Sequence, residues 1–348
     1  MHTEIIEKLA NTHDLTDDEL RLLINERSDS DATLLAQKAA ATRDRIYGKR
    51  VFMRGLIEFS SICRNDCLYC GLRRSNTKAE RYRLTKDEIL SCTDEGYALG
   101  LRTFVLQGGE DSAFTDELLC DIVSSIKQRH QDCAVTLSVG ERSRSSYERL
   151  FKAGTDRYLL RHETADEEHY GRLHPKKLTL AKRMRCLNDL KEIGFQTGCG
   201  FMVGSPFQTT DHIVSDLRFI KEFRPQMVGI GPFIPHKDTP FRNMSAGTAE
   251  LTIYLLSIVR LLLPDVLLPA TTALGTISEN GREQGIMAGA NVVMPNLSPV
   301  SVRRKYLLYD NKLCTDSEAA ENIAQLKKQI QTTGCDLVTD RGDHISKT

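Results

Sequence analysis

A closed α/β barrel of eight parallel strands is the fold class that this sequence predicts, and three observations carry the expectation. Strand-like runs alternate with amphipathic helical runs from Val51 onward, the order of βα units around a parallel sheet. Three of the helical runs stop at a glycine, in Ala153-Gly154, Ile193-Gly194 and Ala288-Gly289, the residue that most easily ends a helix before the chain turns into a strand. A chain of 348 residues, 40% of them hydrophobic, can build one such barrel with a few extra helices. The competing arrangement is a six-stranded open barrel with the last two strands elsewhere.

In chain order, helices come first. Thr16 to Glu19 reads as a capping box, and Ala32–Tyr47 as a helix that stops at Gly48. Residues 1–50 are expected to form a helical cap, 51–300 the barrel and 301–348 a C-terminal extension. The barrel strands are read as Val51–Ser60, Thr103–Gly108, Ala134–Gly140, Arg157–Glu163, Gln196–Val203, Met227–Ile234, Leu267–Gly275 and Asn291–Pro295. Between them lie the helical runs Lys86–Leu99, Thr115–His130, Ser143–Ala153, Leu178–Ile193, Thr210–Phe223, Ala249–Leu263 and Arg282–Ala288. After Pro299 the chain is read as a return segment and a helix over Ser317–Thr332, with the polar last dozen residues expected to fray.

Charge and cysteine usage narrow the function. Lys plus Arg equals Asp plus Glu at 47 each, whereas a general nucleic-acid binder needs excess positive charge to displace counterions. No apolar run is long enough to span a membrane, and Met1–Leu15 carries His2, Glu4, Glu7 and Lys8 rather than the apolar core of a signal peptide. The expected location is the cytoplasm, where a tight group among ten cysteines points to metal or redox chemistry rather than disulfides.

That group is Cys63-Arg-Asn-Asp-Cys67-Leu-Tyr-Cys70, placed directly after the first strand, at the end where barrel enzymes do their chemistry. Three thiolates on a short loop hold three irons of a four-iron cluster and leave the fourth iron open. S-adenosylmethionine (SAM) can fill that position through its amino and carboxylate groups. An electron from the cluster then breaks a carbon–sulfur bond and releases a 5′-deoxyadenosyl radical, while the barrel positions and shields it. A structural zinc knuckle is the plainer reading, but zinc takes four protein ligands and no fourth is evident. The other seven cysteines, Cys92, Cys120, Cys133, Cys186, Cys199, Cys314 and Cys335, are scattered and read mostly as small apolar residues.

Further positions support the loop. Tyr69 puts an aromatic ring beside the last cysteine, where adenine can lie. Gly108 and Gly109 follow the second strand and expose backbone acceptors to a SAM ammonium; a simple tight loop is the alternative. Arg161 and Glu163 share one face of a strand, and both are costly to bury without partner or ligand. Glu163 suits a ribose hydroxyl or the methionine ammonium, with a mutual salt bridge as the alternative, whereas His162 points away and reads as structural. Arg183, on the following helix, can reach a carboxylate as a fork or sit on a solvated helix face beside Lys182 and Arg185. Thr271 and Thr272 end the seventh strand with hydroxyls for the cavity or for neighbouring backbone. No protein acid or base is assigned a catalytic role.

Cys63–Cys70 with Gly71-Leu72-Arg73-Arg74, Leu106–Asp111, Tyr158–Thr164, Met227–His236 and Pro269–Ala273 together resemble the HydE family of FeFe-hydrogenase maturases, within the biotin-synthase-like radical SAM group. The resemblance runs from about Arg45 to Tyr309. It implies a complete (β/α)8 barrel of the TIM type with an internal cavity. It implies SAM contacts at Tyr69, Ser138, Glu163 and Arg183, and a substrate cavity at Arg161, Thr271, Thr272 and Tyr306. By the same resemblance the substrate is a small iron–cysteine complex bearing carbonyl and cyanide. Other hydrogenase maturases and an electron donor are the partners, and the role is assembly of the hydrogenase di-iron subcluster. Two departures stand out. Some members carry a second cluster on three cysteines near the C-terminus, where only Cys314 is found here, so one cluster is expected. Phe207 occupies a position where glycine is common in the family, which puts the shape of the loop Gly204–Thr209 in question.

Two other enzyme readings share the fold. A 3-methylornithine synthase would keep the SAM site and differ in the cavity, but Arg161 with Thr271 and Thr272 suits an anionic species better than a lysine ammonium. Biotin synthase keeps a second, two-iron cluster whose cysteines are not seen here. A non-enzymatic carrier has no need of a gapped cysteine site.

Overall fold

The computed structural model describes residues 1–313 and 319–347. Helices α1 (His2–Thr12), α2 (Asp17–Asn25) and α3 (Asp29–Tyr47) open the chain. The Thr16 side chain accepts from the Glu19 N–H, and Glu19 accepts from the Thr16 N–H at 2.7 Å, completing the predicted capping box. The α3 helix lies along the barrel helix α10 (Ala249–Leu262). That helix is buried over nearly its whole surface, as one wedged between two layers must be.

The run predicted over Val51–Ser60 is two strands, β1 (Arg50–Met53) and β2 (Gly55–Ser60), because its hydrogen-bond partners change at Arg54. Then come α4 (Lys86–Ala98), β3 (Thr103–Gly108), α5 (Asp116–Arg129), β4 (Ala134–Ser138), α6 (Arg144–Lys152), β5 (Arg157–Leu159), α7 (Glu167–Leu173), α8 (Leu180–Ile193), β6 (Gln196–Cys199), β7 (Met202–Val203), α9 (Thr210–Phe223), β8 (Met227–Val228) and β9 (Gly231–Pro232). Strands β2, β3, β4, β5, β6 and β8, in that order, make one parallel sheet, the α/β architecture expected from alternating strands and helices. Isolated parallel bridges continue from Met227 to Leu267, from Pro269 to Val292 and from Asn296 back to Leu56.

Two expectations are corrected. The run Leu267–Gly275 is not a strand throughout: after its bridges it turns into α11 (Thr272–Ile277), because the Thr271 hydroxyl accepts from the Leu274 N–H and starts a helix instead. It is followed by α12 (Gly281–Met287), β10 (Val292–Val293), α13 (Val300–Arg303), α14 (Ala319–Thr332) and β11 (Asp336–Val338). Ser317, the expected start of the last helix, lies outside the described residues. Nor does the tail fray. Strand β11 pairs in parallel with β1, and the residues after it reach the N-terminal ends of the barrel strands. There Asp343 meets the fully buried Arg157 at 2.7 Å, Gln196 donates to Asp343 at 2.8 Å, and Arg341 meets Asp156 at 3.0 Å. Polar composition misled because these side chains help satisfy buried polar groups at the ends of the strands.

Candidate functional site

The predicted positions converge at the C-terminal ends of the parallel strands. The cysteine loop leaves β2, Gly108 ends β3 with Gly109 after it, Ser138 ends β4, and Arg161 and Glu163 follow β5. The loop is held by a frame that the spacing of the cysteines does not reveal. Arg81 donates to four backbone carbonyls, those of Ser61, Leu72, Arg73 and Asn76, at 2.6 to 3.0 Å. Asp66 accepts from Arg73 at 2.9 Å and from the N–H and hydroxyl of Ser75. Gly109 packs against the loop so closely that a Cβ there would lie 2.2 Å from the Ile62 carbonyl oxygen. Its smallness therefore serves loop packing, and its N–H donates to Ser60.

Cys63, Cys67 and Cys70 are half-buried. Burial pushes all three thiols up, Cys70 to about 12, so they resist ionising without a cation nearby. A structural zinc takes four protein ligands, whereas a four-iron cluster takes three thiolates on separate irons and leaves the fourth iron open. The donor set thus fits a cluster.

Next to this loop stands a group of buried charges. Glu163 holds φ at 68°, a left-handed backbone unusual for a residue other than glycine, and strain of this kind gathers at functional sites. Its carboxylate lies 3.1 Å from Arg161. The two are not aligned as a hydrogen bond: Glu163 Oε2 and Arg161 Nε and Nη2 are buried without hydrogen-bond partners. They form the ion pair considered from sequence and still have polar capacity for a ligand.

Arg183 is buried, which excludes the solvated helix face. Its Nε donates to Glu141 at 2.7 Å and its Nη1 to the Arg161 carbonyl, while Nη2 has no acceptor among the described residues. Burial raises the Glu141 carboxyl, but Arg183 and Lys182 outweigh that and hold it below its usual range. Sequence reading missed Glu141; its place in the loop after β4 was the only signal. Tyr69 meets His174 through its hydroxyl at 3.2 Å. His162 is fully buried, accepts from the Gly200 N–H and faces Asp216 at 3.3 Å, the structural part expected of it.

The positions assigned to a substrate divide. The Thr271 hydroxyl is engaged as a helix cap, whereas Thr272 lines a cavity of about 200 Å³ with Glu58, Asn296, Arg282 and Lys312. Tyr306 is buried, with the Lys312 ammonium 4.8 Å from its ring centre. Lys312 in turn pairs with the buried Glu58 at 2.5 Å. Glu58 and Gln107 face each other in the β2–β3 register and were not singled out from sequence, because nothing local marks an inward strand polar residue.

Comparison with known proteins accords with this geometry. The model of the Radical SAM superfamily matches residues 57–220, from β2 through α9. The chain is 45% identical to the [FeFe] hydrogenase maturase subunit HydE of Thermotoga maritima over 333 residues, 95% of this chain and 94% of that protein. It is 27% identical to the 3-methylornithine synthase of Methanosarcina acetivorans over 94% of this chain and 92% of the other. Among solved structures, that of methylornithine synthase (PylB) superposes with a TM-score of 0.85 at 25% identity, covering 96% of this chain and 97% of its own. From the cysteine loop, the buried charges beside it and near-complete alignment with a HydE protein, it follows that this chain belongs to the HydE family of radical SAM hydrogenase maturases.

Proposed function

We propose that Cys63, Cys67 and Cys70 hold a single four-iron cluster, that SAM binds across Tyr69, Gly108, Gly109, Ser138, Glu163 and Arg183, and that Arg161, Thr271, Thr272 and Tyr306 face a small iron–cysteine complex carrying carbonyl and cyanide. When bound, the cluster supplies the electron that cleaves SAM and yields a 5′-deoxyadenosyl radical. The chain's own residues bind and orient. Arg183, fixed by Glu141, offers a fork to a carboxylate, and Glu163 an acceptor to an ammonium or a ribose hydroxyl. Arg161 keeps unused donors for an anion. The carrying observation is the incompletely bonded Arg161–Glu163 pair beside the cysteine loop, whose facing polar atoms are buried without hydrogen-bond partners and so keep capacity for a ligand.

Two finer points belong to the same proposal. The bridges at Leu267, Val292 and Asn296 support reading the six-stranded sheet as part of a complete (β/α)8 barrel over 51–300, between a helical cap, 1–50, and an extension, 301–348. A single cluster is supported by Cys335, which is buried in the hydrophobic core; Cys314 lies outside the described residues. The enzyme works in the cytoplasm with an electron donor and the other maturases.

The test is Arg161→Met beside Cys67→Ala. Cys67→Ala should lose deoxyadenosine release. Arg161→Met should keep its cluster and SAM cleavage yet fail to mature hydrogenase. SAM cleavage by Cys67→Ala sinks the cluster assignment. Normal maturation by Arg161→Met sinks the anionic substrate and makes lysine the next compound to assay.

A further inference from the structure

The rim of the barrel mouth carries an arrangement that neither the cysteine loop nor the SAM positions use. Phe207, in the turn between β7 and α9, holds φ at 69°. A bulky aromatic residue is strongly disfavoured there by its own Cβ, and such strain persists only where the surroundings impose it. The strain does not serve core packing, since Phe207 is 39% exposed. The Arg172 guanidinium stacks 3.6 Å from the centre of its ring, and Phe241 meets it edge-on at 6.0 Å. Phe241 belongs to the same apolar cluster as Phe233 and Tyr69, so the exposed ring is continuous with the floor beneath the cysteine loop.

Beside Phe241 a groove of about 400 Å³ runs between the segment that follows Cys70 and the loop at 237–242. Lys78 in this groove is balanced by Asp238 at 3.2 Å. The side chains of Lys237, Arg242 and Arg172 are exposed and form no ion pair among the described residues, while Asp310 accepts from the Lys237 N–H at 2.7 Å. In a chain of zero net charge, these cations gather beside a strained, exposed aromatic ring.

We propose that this rim docks a partner protein whose contact surface is acidic and offers an apolar pocket to Phe207. Aromatic rings and arginines dominate binding hot spots, and unpaired rim charges steer a partner of opposite sign. A nucleic acid or a membrane calls for a broader positive surface than these side chains supply. The inference rests on the maturase reading: a protein seated here covers the mouth beside the cysteine loop, where substrate enters or product leaves out of contact with water.

Phe207→Gly keeps the left-handed turn and removes the ring, and the double variant Lys237→Glu, Arg242→Glu reverses the charge. The holoenzyme and both variants are measured against each of the other hydrogenase maturases, purified separately, by biolayer interferometry at low and high salt. The unsubstituted enzyme should bind one of them, more weakly as salt rises. Each variant should lose at least about tenfold in affinity while SAM cleavage without the partner stays unchanged. The proposal is overturned if no maturase binds, if both variants bind normally, or if the charge reversal instead abolishes capture of an oligonucleotide or of phosphatidylserine vesicles. A holoenzyme that binds the maturase but cleaves no SAM overturns the functional reading and leaves the docking surface standing.

Discussion

Arg183 combines a structural ion pair with the SAM contact proposed for it. It is buried against Glu141, itself almost fully covered, and breaking a buried pair by removing one partner costs about 3–5 kcal/mol because the other charge is left behind. Lys182, 3.1 Å from the same carboxylate, offsets part of that loss. Arg183→Ala should therefore lower the melting temperature and also weaken SAM binding about tenfold to a hundredfold, as expected for a desolvated charge-assisted pair. Calorimetry with SAM titration checks both; unchanged SAM affinity would leave Arg183 a purely structural partner of Glu141. The residue type and its helix were readable from sequence. Its burial and its partner were not, because Glu141 is forty-two positions away and no periodicity links them.

At the scale of elements, the segment after β11 decides whether the end of the barrel opposite the cysteine loop is closed. Arg157 is fully buried and meets Asp343, Thr103 and the Arg341 carbonyl. Burial works against the Asp343 charge, but Arg341 and Arg157 outweigh it and hold the carboxyl well below its usual range. The sign follows: a depressed carboxyl adds stability that is complete above the ordinary range near pH ~4 and is lost as pH falls below it. Asp343→Asn should cost about 3 kcal/mol near neutrality, with the difference from the unsubstituted enzyme shrinking in acid. Urea unfolding at several pH values measures this, and a difference that grows in acid would contradict the assignment. The seven helical runs read between the barrel strands match to within two residues because their caps and apolar faces are local, whereas the short helices α7 and α13 were not read. The tail was not, because its polar residues find their partners only in a folded barrel.

For the whole molecule, the strand–helix rhythm builds a parallel sheet with the cysteine loop and the Arg161–Glu163 pair at one end. If one cluster is all it holds, the anaerobically reconstituted protein should contain about four irons per chain. Cys314→Ala should leave that content unchanged. Iron and sulfide analysis checks it, and a fall by half in the variant would establish a second cluster.

The sequence by itself determined the parallel α/β class, most of the strand–helix order and the three-cysteine loop, because each rests on spacing within a short stretch of chain. Tertiary structure alone decided that the tail pairs with β1, that Thr271 starts a helix, and that Glu141, Asp66 and Arg81 hold the site in place. The physical reason is the same in each case. A buried polar group must find a partner, and which distant residue supplies it depends on how the chain has already packed.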